Sequence, residues 1–387
     1  MENGRKKVPK KGGLSSLIQK GKMDIGFFSL VIVLLTVGLL MLFSSSYAYA
    51  LAYYGDSYHF IKKQLLFAVG GFILMIGISK IDYHFYRRFA WILYIVAIIM
   101  LAALLVLPPM MPGANQKRWM VLGPINFQPS EIGKFAVILL FSHLISDNYK
   151  QMKNFKFSVV ILGFLLALVC GLVVVETHLS ATILIFCIGV SLMIVGGLKG
   201  KYIGGGALLG AGGVALMITT GVVGYGSDRF RYWIDPWADA KGKGYQTIQS
   251  LLAIGSGGFF GRGFGLSRQK YLWVPEPHND FIFAIVCEEL GLVGAMVIIL
   301  LFCALVWRGF TIAMRATDKF GTLMAVGLTF QVGLQAILNI LVVTNTIPNT
   351  GISLPFFSYG GTSLILLMAQ MGIVLSISRS SNLEKSK

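Results

Sequence analysis

Long apolar segments recur along the whole chain and are separated by polar connections. Each has close to the roughly 20 residues that an α-helix needs to cross the hydrocarbon core of a bilayer. The pattern predicts an all-α polytopic membrane protein with ten transmembrane helices and a large extracytoplasmic loop, residues 225–280, between helices 7 and 8. The predicted helices lie at residues 25–44, 64–79, 89–107, 131–147, 157–175, 180–197, 202–224, 281–304, 320–342 and 360–378.

Lysine and arginine residues set the predicted orientation, because short cytoplasmic loops of membrane proteins are enriched in them. The segment before the first helix is strongly basic, which places the N-terminus in the cytoplasm. An even number of helices returns the C-terminus to the same side. We therefore expect a basic cytoplasmic tail at residues 1–23, one membrane domain at 24–380 that includes the outer loop, and a second cytoplasmic tail at 381–387.

The composition agrees with this class of protein. Hydrophobic residues make up 56% of the chain and charged residues 13%, whereas a soluble domain averages about a quarter charged residues. The net charge of +17 is explained by the lysine and arginine residues that cytoplasmic loops of membrane proteins carry. We therefore expect no nucleic-acid partner. Seven basic residues nevertheless fall in the aromatic, glycine-rich outer loop. Cations at that surface favour an anionic, lipid-attached partner.

Acidic residues at the apolar helices carry the strongest functional signal, because an ionisable group at membrane depth is costly unless it is paired or hydrated. Asp280 opens helix 8 from the outside, and Glu288 and Glu289 lie deeper. Glu288 lies about 80° around the helix from Asp280 and about 12 Å further along it, which argues against a carboxylate pair. We expect Glu288 and Glu289 to be structural and satisfied by neighbouring helices. Asp280, at the water boundary, can exchange protons.

Other polar groups also gather at the outer ends of the predicted helices. Glu131 and Lys134 share one helix face at i,i+3 spacing, so they can pair with each other. A tight acidic turn follows at Glu176-Thr177-His178, and a polar loop at Thr344–Thr362 precedes helix 10. The sequence therefore predicts a functional site at the outer face.

The glycine-rich segment Gly255–Lys270 permits two interpretations. It lacks the spacing of a nucleotide-binding loop and follows no strand. It is either a tight connection or a segment whose backbone and Arg262 contact a lipid pyrophosphate. Before it, Tyr245–Ile254 is typical of a short interfacial helix with Gln246 and Gln249 on its polar side.

Five motifs in order resemble the SEDS family (shape, elongation, division and sporulation) over essentially the full length. They resemble its FtsW- and SpoVE-like division and sporulation branch more than the RodA-like elongation branch. The motifs are KRW at Lys117–Trp119, QPSEIGK at Gln128–Lys134, GRGFGLSRQK at Gly261–Lys270, VPEPHNDFIFAIVCEELG at Val274–Gly291 and ISLPFFSYGGTSL at Ile352–Leu364.

The resemblance implies a ten-helix peptidoglycan glycosyltransferase in the bacterial cytoplasmic membrane. Such an enzyme polymerises lipid II outside the membrane, beside a class B penicillin-binding protein and other division proteins. The essential acid of the family matches Asp280. Within the motifs, the candidates for substrate binding are Lys117, Arg118, Trp119, Glu131, Lys134, Arg262, Lys270, His278 and Ser358. Asn279 and the turn at Glu176 depart from the pattern of many relatives, which puts in doubt roles copied onto those positions.

The implied chemistry is an inverting displacement in which prenyl pyrophosphate leaves. Lys117, Arg118 and Arg262 are the main candidates to stabilise its developing charge. Asp280 is either the base that takes the proton of the attacking hydroxyl or a ligand of a divalent cation such as Mg²⁺ or Mn²⁺. The sequence leaves both roles open.

Two rival functions remain open from the sequence. A lipid II flippase would also use a cationic outer vestibule, although alternating access favours a site near the membrane midplane. A non-catalytic division scaffold would leave the acids at membrane depth unexplained.

Overall fold

The structure is a computed structural model, and it describes residues 21–106, 118–122, 125–176, 178–202, 204–205, 231–242 and 244–384. Over these residues the chain is mainly helical. The helices are α1 (Ile25–Tyr54), α2 (His59–Ser79), α3 (His84–Arg87), α4 (Ala90–Val106), α5 (Pro129–Asp147), α6 (Leu162–Val175), α7 (Leu179–Val195), α8 (Tyr245–Gly257), α9 (Ile282–Met314), α10 (Lys319–Val343) and α11 (Gly361–Glu384).

Short elements connect some of these helices. A two-stranded antiparallel hairpin precedes α5 and pairs β1 (Met120–Leu122) with β2 (Ile125–Phe127). A 3₁₀ turn (Tyr149–Lys153) and a π-helical turn (Lys156–Ile161) lie between α5 and α6. A second 3₁₀ turn (Pro236–Asp239) precedes α8.

Nine of the ten predicted spanning segments contain a helix in the described part of the chain. Most of the predicted seventh helix, 202–224, lies outside the described residues. Among the described helices, six have the length and composition of a membrane span, and Ala90–Val106 and Leu179–Val195 are shorter apolar helices. Helix α9 extends ten residues beyond its predicted end, to Met314.

Apolar side chains cover much of the outside of the bundle. Leu66 is 72% exposed, Ile73 66% and Leu300 60%. Several amides and serines are instead buried inside. This distribution suits a protein whose outer surface contacts lipid, because burial in lipid rewards apolar groups and penalises polar ones. The chain is therefore an integral membrane protein.

Helix α9 is broken at Gly291, whose backbone is non-helical at φ 66° and ψ −169°. The segment 258–263 supplies the backbone hydrogen bonds that the break removes. The amides of Arg262 and Gly263 donate to the carbonyls of Glu288 and Glu289, each at 3.0 Å. The amides of Leu292 and Val293 donate to the carbonyls of residues 258 and 259 at 2.9 and 3.1 Å. The broken backbone is thereby satisfied, as the membrane interior requires.

Close backbone approach at this break explains two of the glycines. A Cβ on Gly291 would lie 2.2 Å from the amide nitrogen of Gly261, and one on Gly261 would lie 2.2 Å from the Glu289 carbonyl oxygen. Both distances are far inside van der Waals contact. This packing supports the interpretation of Gly255–Lys270 as a tight connection.

An ionic network closes the end of the bundle opposite Asp280. His84 contacts Asp82 through Nδ1 at 2.8 Å and Asp318 through Nε2 at 3.5 Å. The Tyr83 hydroxyl donates to the Asp318 carboxylate. These contacts tie the connection after α2 to the N-terminal cap of α10. Hydrogen bonding to Asp318, and then to Asp82, raises the pKa of His84 to about 9.

We expect this network to make stability depend on pH in the alkaline range. Because the pKa of His84 is raised from 6.5 to about 9, its stabilising charge is fully present below pH 6.5 and is lost as the pH rises through 9. The thermal unfolding midpoint in detergent, measured from pH 6 to 10, should fall more steeply in the wild type than in His84→Gln. Parallel curves for the two proteins would contradict the assignment.

Candidate functional site

Three consecutive backbone carbonyls fix the segment that ends at Asp280. The His278 carbonyl accepts from the Tyr359 amide at 2.9 Å. The Asn279 carbonyl accepts from the Ser358 hydroxyl at 2.7 Å, and the Asp280 carbonyl accepts from Asn339 Nδ2 at 2.7 Å. The segment before α9 is therefore held against α10 and the polar loop before α11.

The Asp280 side chain, which is partly exposed, lies beside Gly351. Gly351 has a left-handed φ of 68°, and a Cβ built there would lie 3.2 Å from Asp280 Oδ2. Asn339 Nδ2 also donates to the Ile352 carbonyl at 2.6 Å, which fixes the neighbouring residue of the same loop. A side chain larger than hydrogen at position 351 would be strained in φ and would crowd the carboxylate.

One turn along α10 from Asn339, Gln335 holds a second pair of charged residues. The Lys134 ammonium donates to Gln335 Oε1 at 3.1 Å and pairs with Glu131 Oε1 at 2.7 Å. Gln335 Nε2 in turn donates to the carbonyl and the hydroxyl of Ser353, each at 3.1 Å. The i,i+3 pairing predicted for Glu131 and Lys134 is confirmed. The same helix and loop thus hold this pair and Asp280.

A polar cavity of about 30 Å³ adjoins this arrangement. This volume is enough for about two water molecules. Its polar lining comprises Glu131, Gln331, Gln335, Ser353, Ser358 and Gln370. At the inner end, Gln331 Nε2 donates to Gln370 Oε1 at 3.1 Å, and both side chains are buried. Because such groups are costly at membrane depth, the lining indicates a small polar pocket within the bundle.

The β-hairpin contacts the start of α11, whose residues Ser363 and Leu364 line this cavity. Asn126 of β2 accepts through its carbonyl from the Thr362 hydroxyl at 3.0 Å, close to the start of α11. Trp119 is 43% exposed. Burial raises the pKa of Glu176 to about 8, and the neighbouring Arg118 charge opposes this rise. Arg118 therefore lies near the acidic turn. Lys117 lies outside the described residues.

His278 and Ser358 have structural surroundings. The His278 ring packs 4.1 Å from the ring of Phe60 and 5.0 Å from that of Tyr49, measured between centroids. Burial lowers the pKa of His278 to about 4, so the ring is neutral at physiological pH. The Ser358 hydroxyl accepts from the Leu354 amide and donates to the Asn279 carbonyl, each at 2.7 Å. Both residues hold the segment that carries Asp280.

Arg262 and Lys270 lie in a second cluster with Glu288 and Glu289, about 12 Å from Asp280 along α9. Arg262 Nη1 is 3.8 Å from Glu288 Oε1, and the buried Lys270 ammonium is 3.0 Å from Glu289 Oε1. The structure therefore does not bring these two cations to Asp280. Their predicted contact with substrate stays a prediction.

The two glutamates are structural, as predicted, but their partners differ from the expected ones. Glu288 accepts from the Ser267 hydroxyl and the amides of residues 268 and 269. Glu289 accepts from the amides of residues 265 and 267 and from the Ser44 hydroxyl. Of the neighbouring helices, α1 alone supplies a side-chain partner among these contacts. The glycine-rich loop supplies most of the donors, because it folds back against the break in α9.

Three amide side chains at the site were missed by the sequence analysis. Asn339 and Gln335 position Asp280 and Lys134, and Gln64 Oε1 accepts from the Gly360 amide at 3.2 Å. The available signal was an amide within an otherwise apolar helix, which is costly unless it has a partner.

The residues around Asp280 fit a divalent cation only with help from a substrate. In the described part of the chain, no group of three His, Cys, Asp or Glu side chains is placed to hold a metal ion. Mg²⁺ in phosphate-handling sites is commonly bound through one or two carboxylates, waters and substrate phosphates. Asp280 offers one such carboxylate.

Comparison with known sequences gives consistent matches over nearly the whole chain. A model of the cell cycle protein family FtsW/RodA/SpoVE matches residues 26–383. The chain is 38% identical over 371 residues to stage V sporulation protein E of Bacillus subtilis (strain 168), covering 93% of this chain and 98% of that protein. It is 34% identical over 357 residues to a probable peptidoglycan glycosyltransferase FtsW of Geobacter sp. (strain M18), and the match covers 92% of this chain and 96% of that protein.

Solved structures share the fold. A chain from a peptidoglycan synthase complex, described as coordinating polymerization and crosslinking, matches with a TM-score of 0.74 at 27% identity and covers 93% of this chain and 98% of its own length. The rod shape determining protein RodA of Thermus thermophilus matches with a TM-score of 0.68 at 24% identity, and the match covers 92% of this chain and 97% of RodA.

Proposed function

Because this chain belongs to the FtsW/RodA/SpoVE family of cell cycle proteins, we propose that it is a peptidoglycan glycosyltransferase that polymerises lipid II into glycan strands. The name of the relative from Geobacter supports the activity. The observation that carries the assignment is the position of Asp280. It is a partly exposed carboxylate whose backbone is fixed by Asn339, one turn along α10 from Gln335, which lines the polar cavity and holds the Glu131–Lys134 pair.

We infer that Asp280 is the general base of this reaction. The acceptor hydroxyl must lose its proton as it attacks the donor sugar, and a positioned carboxylate can take that proton. The three bonds to the carbonyls of residues 278–280 supply the positioning. Joining an α-linked donor in a β bond by one displacement inverts the anomeric carbon, so no covalent sugar–enzyme intermediate forms.

The leaving prenyl pyrophosphate gains negative charge, which cationic donors stabilise. Arg118, beside the partly exposed Trp119, is the best supported candidate in the described part of the chain, and Lys117 precedes it in sequence. Lys134 is buried and paired with Glu131. We therefore assign Lys134 and Glu131 to shaping the cavity, and their predicted contact with substrate stays a prediction. A role for Asp280 as ligand of Mg²⁺ or Mn²⁺ is the alternative, in which the cation would neutralise pyrophosphate charge.

We further propose ten transmembrane helices, cytoplasmic termini and an extracytoplasmic site, with the loop 225–280 between helices 7 and 8. The basic leader and the short basic loops support this orientation. In this arrangement, residues 1–23 and 381–387 are cytoplasmic tails. A class B penicillin-binding protein is the proposed partner, together with other division proteins. The similarity to a chain of a synthase complex that couples polymerization to crosslinking supports that partner.

Replacing Asn339 should impair turnover more than substrate binding. Asn339→Leu removes the two hydrogen bonds that hold Asp280 and Ile352. A displaced base should lower kcat by about 10²-fold, with KM for lipid II nearly unchanged. Initial rates of glycan formation across lipid II concentrations measure both constants.

Thr344→Val is the matched control for this prediction, because Thr344 is the C-terminal cap of the same helix. Its exposed hydroxyl bonds to the carbonyls of Ile340 and Leu341 and to the Thr346 hydroxyl, all within its own turn. We expect this variant to retain wild-type kinetics. A rise in KM without a fall in kcat in Asn339→Leu would show that Asn339 serves substrate binding instead.

Lipid II translocation is the second candidate function, because the cavity extends to buried Gln331 and Gln370 within the bundle. Proteoliposomes with lipid II in one leaflet distinguish the two activities. A polymerase acts on lipid II offered at the extracytoplasmic face without moving it across. Transfer of unpolymerised lipid II between leaflets, abolished by Gln331→Leu, would favour the transporter.

A further inference from the structure

The segment from α8 to residue 266 exposes several large apolar side chains. Thr247, Gln249 and Ser250 of α8 are buried, and the Ser250 hydroxyl donates to the Val343 carbonyl of α10 at 2.8 Å. Leu251 and Leu252 are exposed instead. The predicted helix is confirmed, but its polar side faces the protein and not water. An inverted pattern of this kind is typical of a helix that contacts lipid.

The connection after α8 continues the same apolar surface. Phe259 is 70% exposed, Phe260 85%, Phe264 52% and Leu266 64%. Four large apolar side chains within eight residues are costly to leave in water. Four backbone groups of the connection are nevertheless paired with α9: the carbonyls of residues 258 and 259 and the amides of residues 262 and 263 bond to residues 288–293. Pairing of backbone groups reduces the cost of placing such a segment in hydrocarbon.

Two contacts between α1 and α9 measure the depth of this segment. At one end, Arg308 Nη2 is 2.9 Å from Asp24 Oδ2, and at the other the Ser44 hydroxyl donates to Glu289 Oε1 at 2.7 Å. The polar contacts are separated by about 30 Å along α1 and about 28 Å along α9, at about 1.5 Å per residue. This spacing matches a hydrocarbon core about 30 Å thick.

Phe259 falls inside these limits. The carbonyl of Phe259 accepts from the amide of Val293, which is about 22 Å along α9 from Arg308. Phe259 is thus deeper along α9 than Glu289. Leu292 and Val293, 51% and 49% exposed, lie beside it, and Met296, Val297 and Leu300 continue the exposed face along α9.

We propose that residues 245–266 form a re-entrant element whose outward surface is covered by lipid acyl chains of the leaflet at the Asp280 end. This outward surface is continuous with the exposed apolar face of α9, a helix with the length and composition of a membrane span. The occupant is therefore lipid. The element anchors the glycine-rich loop that bonds to α9 at its break. The segment that carries Asp280 leads directly into α9. The membrane thereby fixes the height of the carboxylate relative to the lipid headgroups.

Depth-dependent fluorescence quenching tests this proposal on the full-length protein in liposomes. A polarity-sensitive fluorophore is attached to Phe260→Cys in a variant whose four native cysteines are replaced. Leu300→Cys on α9 is the control for lipid exposure, and Lys241→Cys, an exposed cation before α8, is the control for water. Thermal unfolding of each labelled variant verifies that it is folded.

We expect the label at residue 260 to show blue-shifted emission, quenching by spin labels on the acyl chains, and protection from aqueous iodide, as at residue 300. Iodide quenching equal to that at residue 241 would overturn the proposal by placing the segment in water. Protection from both quenchers would also overturn it, because another protein segment, such as residues 206–230, would then cover the surface. None of these readouts depends on enzyme activity.

Discussion

Asp280→Asn is expected to abolish glycan polymerisation while leaving the fold and the partner interaction intact. The substitution keeps the size of the side chain, and the bond from Asn339 reaches the backbone carbonyl of residue 280, which is unchanged. Loss of a general base should lower kcat by about 10²- to 10⁴-fold. Gel analysis of glycan chains from lipid II measures the rate, and co-purification with the penicillin-binding protein reports the interaction.

Glu276→Gln is the matched control for this substitution. Glu276 is an exposed acid in the same segment, and its carboxylate accepts from Asn279 Nδ2 at 2.9 Å, a bond that glutamine can retain. We expect wild-type rates from it. Full polymerase rate in Asp280→Asn would refute both the base and the metal-ligand roles. To separate those roles, activity is titrated with Mg²⁺ and Mn²⁺ after chelation, and a base role predicts no change in the divalent requirement between wild type and Asp280→Glu.

Lys270→Met is expected to destabilise the protein by about 3–5 kcal/mol, because it leaves a buried carboxylate without its cation. Lys270 is 3% exposed and lies 3.0 Å from Glu289, which is fully buried. Its ammonium also donates to the Gly265 carbonyl at 2.7 Å. The loss of stability should appear as a lower thermal unfolding midpoint in detergent and as faster proteolysis of the glycine-rich loop.

A second substitution tests the electrostatic cause of this effect. Lys270→Met combined with Glu289→Gln removes both charges and should recover most of the lost stability. Lys62→Met is the surface control, since Lys62 and Asp56 form an exposed pair at 2.8 Å. Breaking it should cost no more than about 1 kcal/mol. Equal losses from Lys270→Met and Lys62→Met would contradict the structural role of the buried pair.

Local sequence patterns predicted most of the helices in the described part of the chain. Apolar runs of spanning length predict helices because few other structures satisfy the backbone in lipid. The i,i+3 spacing was sufficient to pair Glu131 with Lys134. Helical geometry also separated Asp280 from Glu288 correctly. Each of these inferences depends only on distances within one helix.

Contacts between distant segments were not predictable in the same way. Gly291 resembles a packing glycine in sequence, and its role as a break depends on residues 258–263, which lie about 30 positions earlier. The pairing of Arg262 with Glu288 and of Lys270 with Glu289 depends on that same fold. Asn339 reaches the carbonyl of Asp280 across 59 positions. Helical periodicity carries no information about such long-range partners.

Glycan synthesis from purified lipid II is the most direct test of the central claim. Wild-type protein is reconstituted alone and with a class B penicillin-binding protein whose transpeptidase is blocked, and Asp280→Asn is run under both conditions. We predict glycan polymer from the wild type in at least one condition and none from the variant. Absence of polymer in every condition, with lipid II crossing the bilayer instead, would contradict the assignment as a glycosyltransferase.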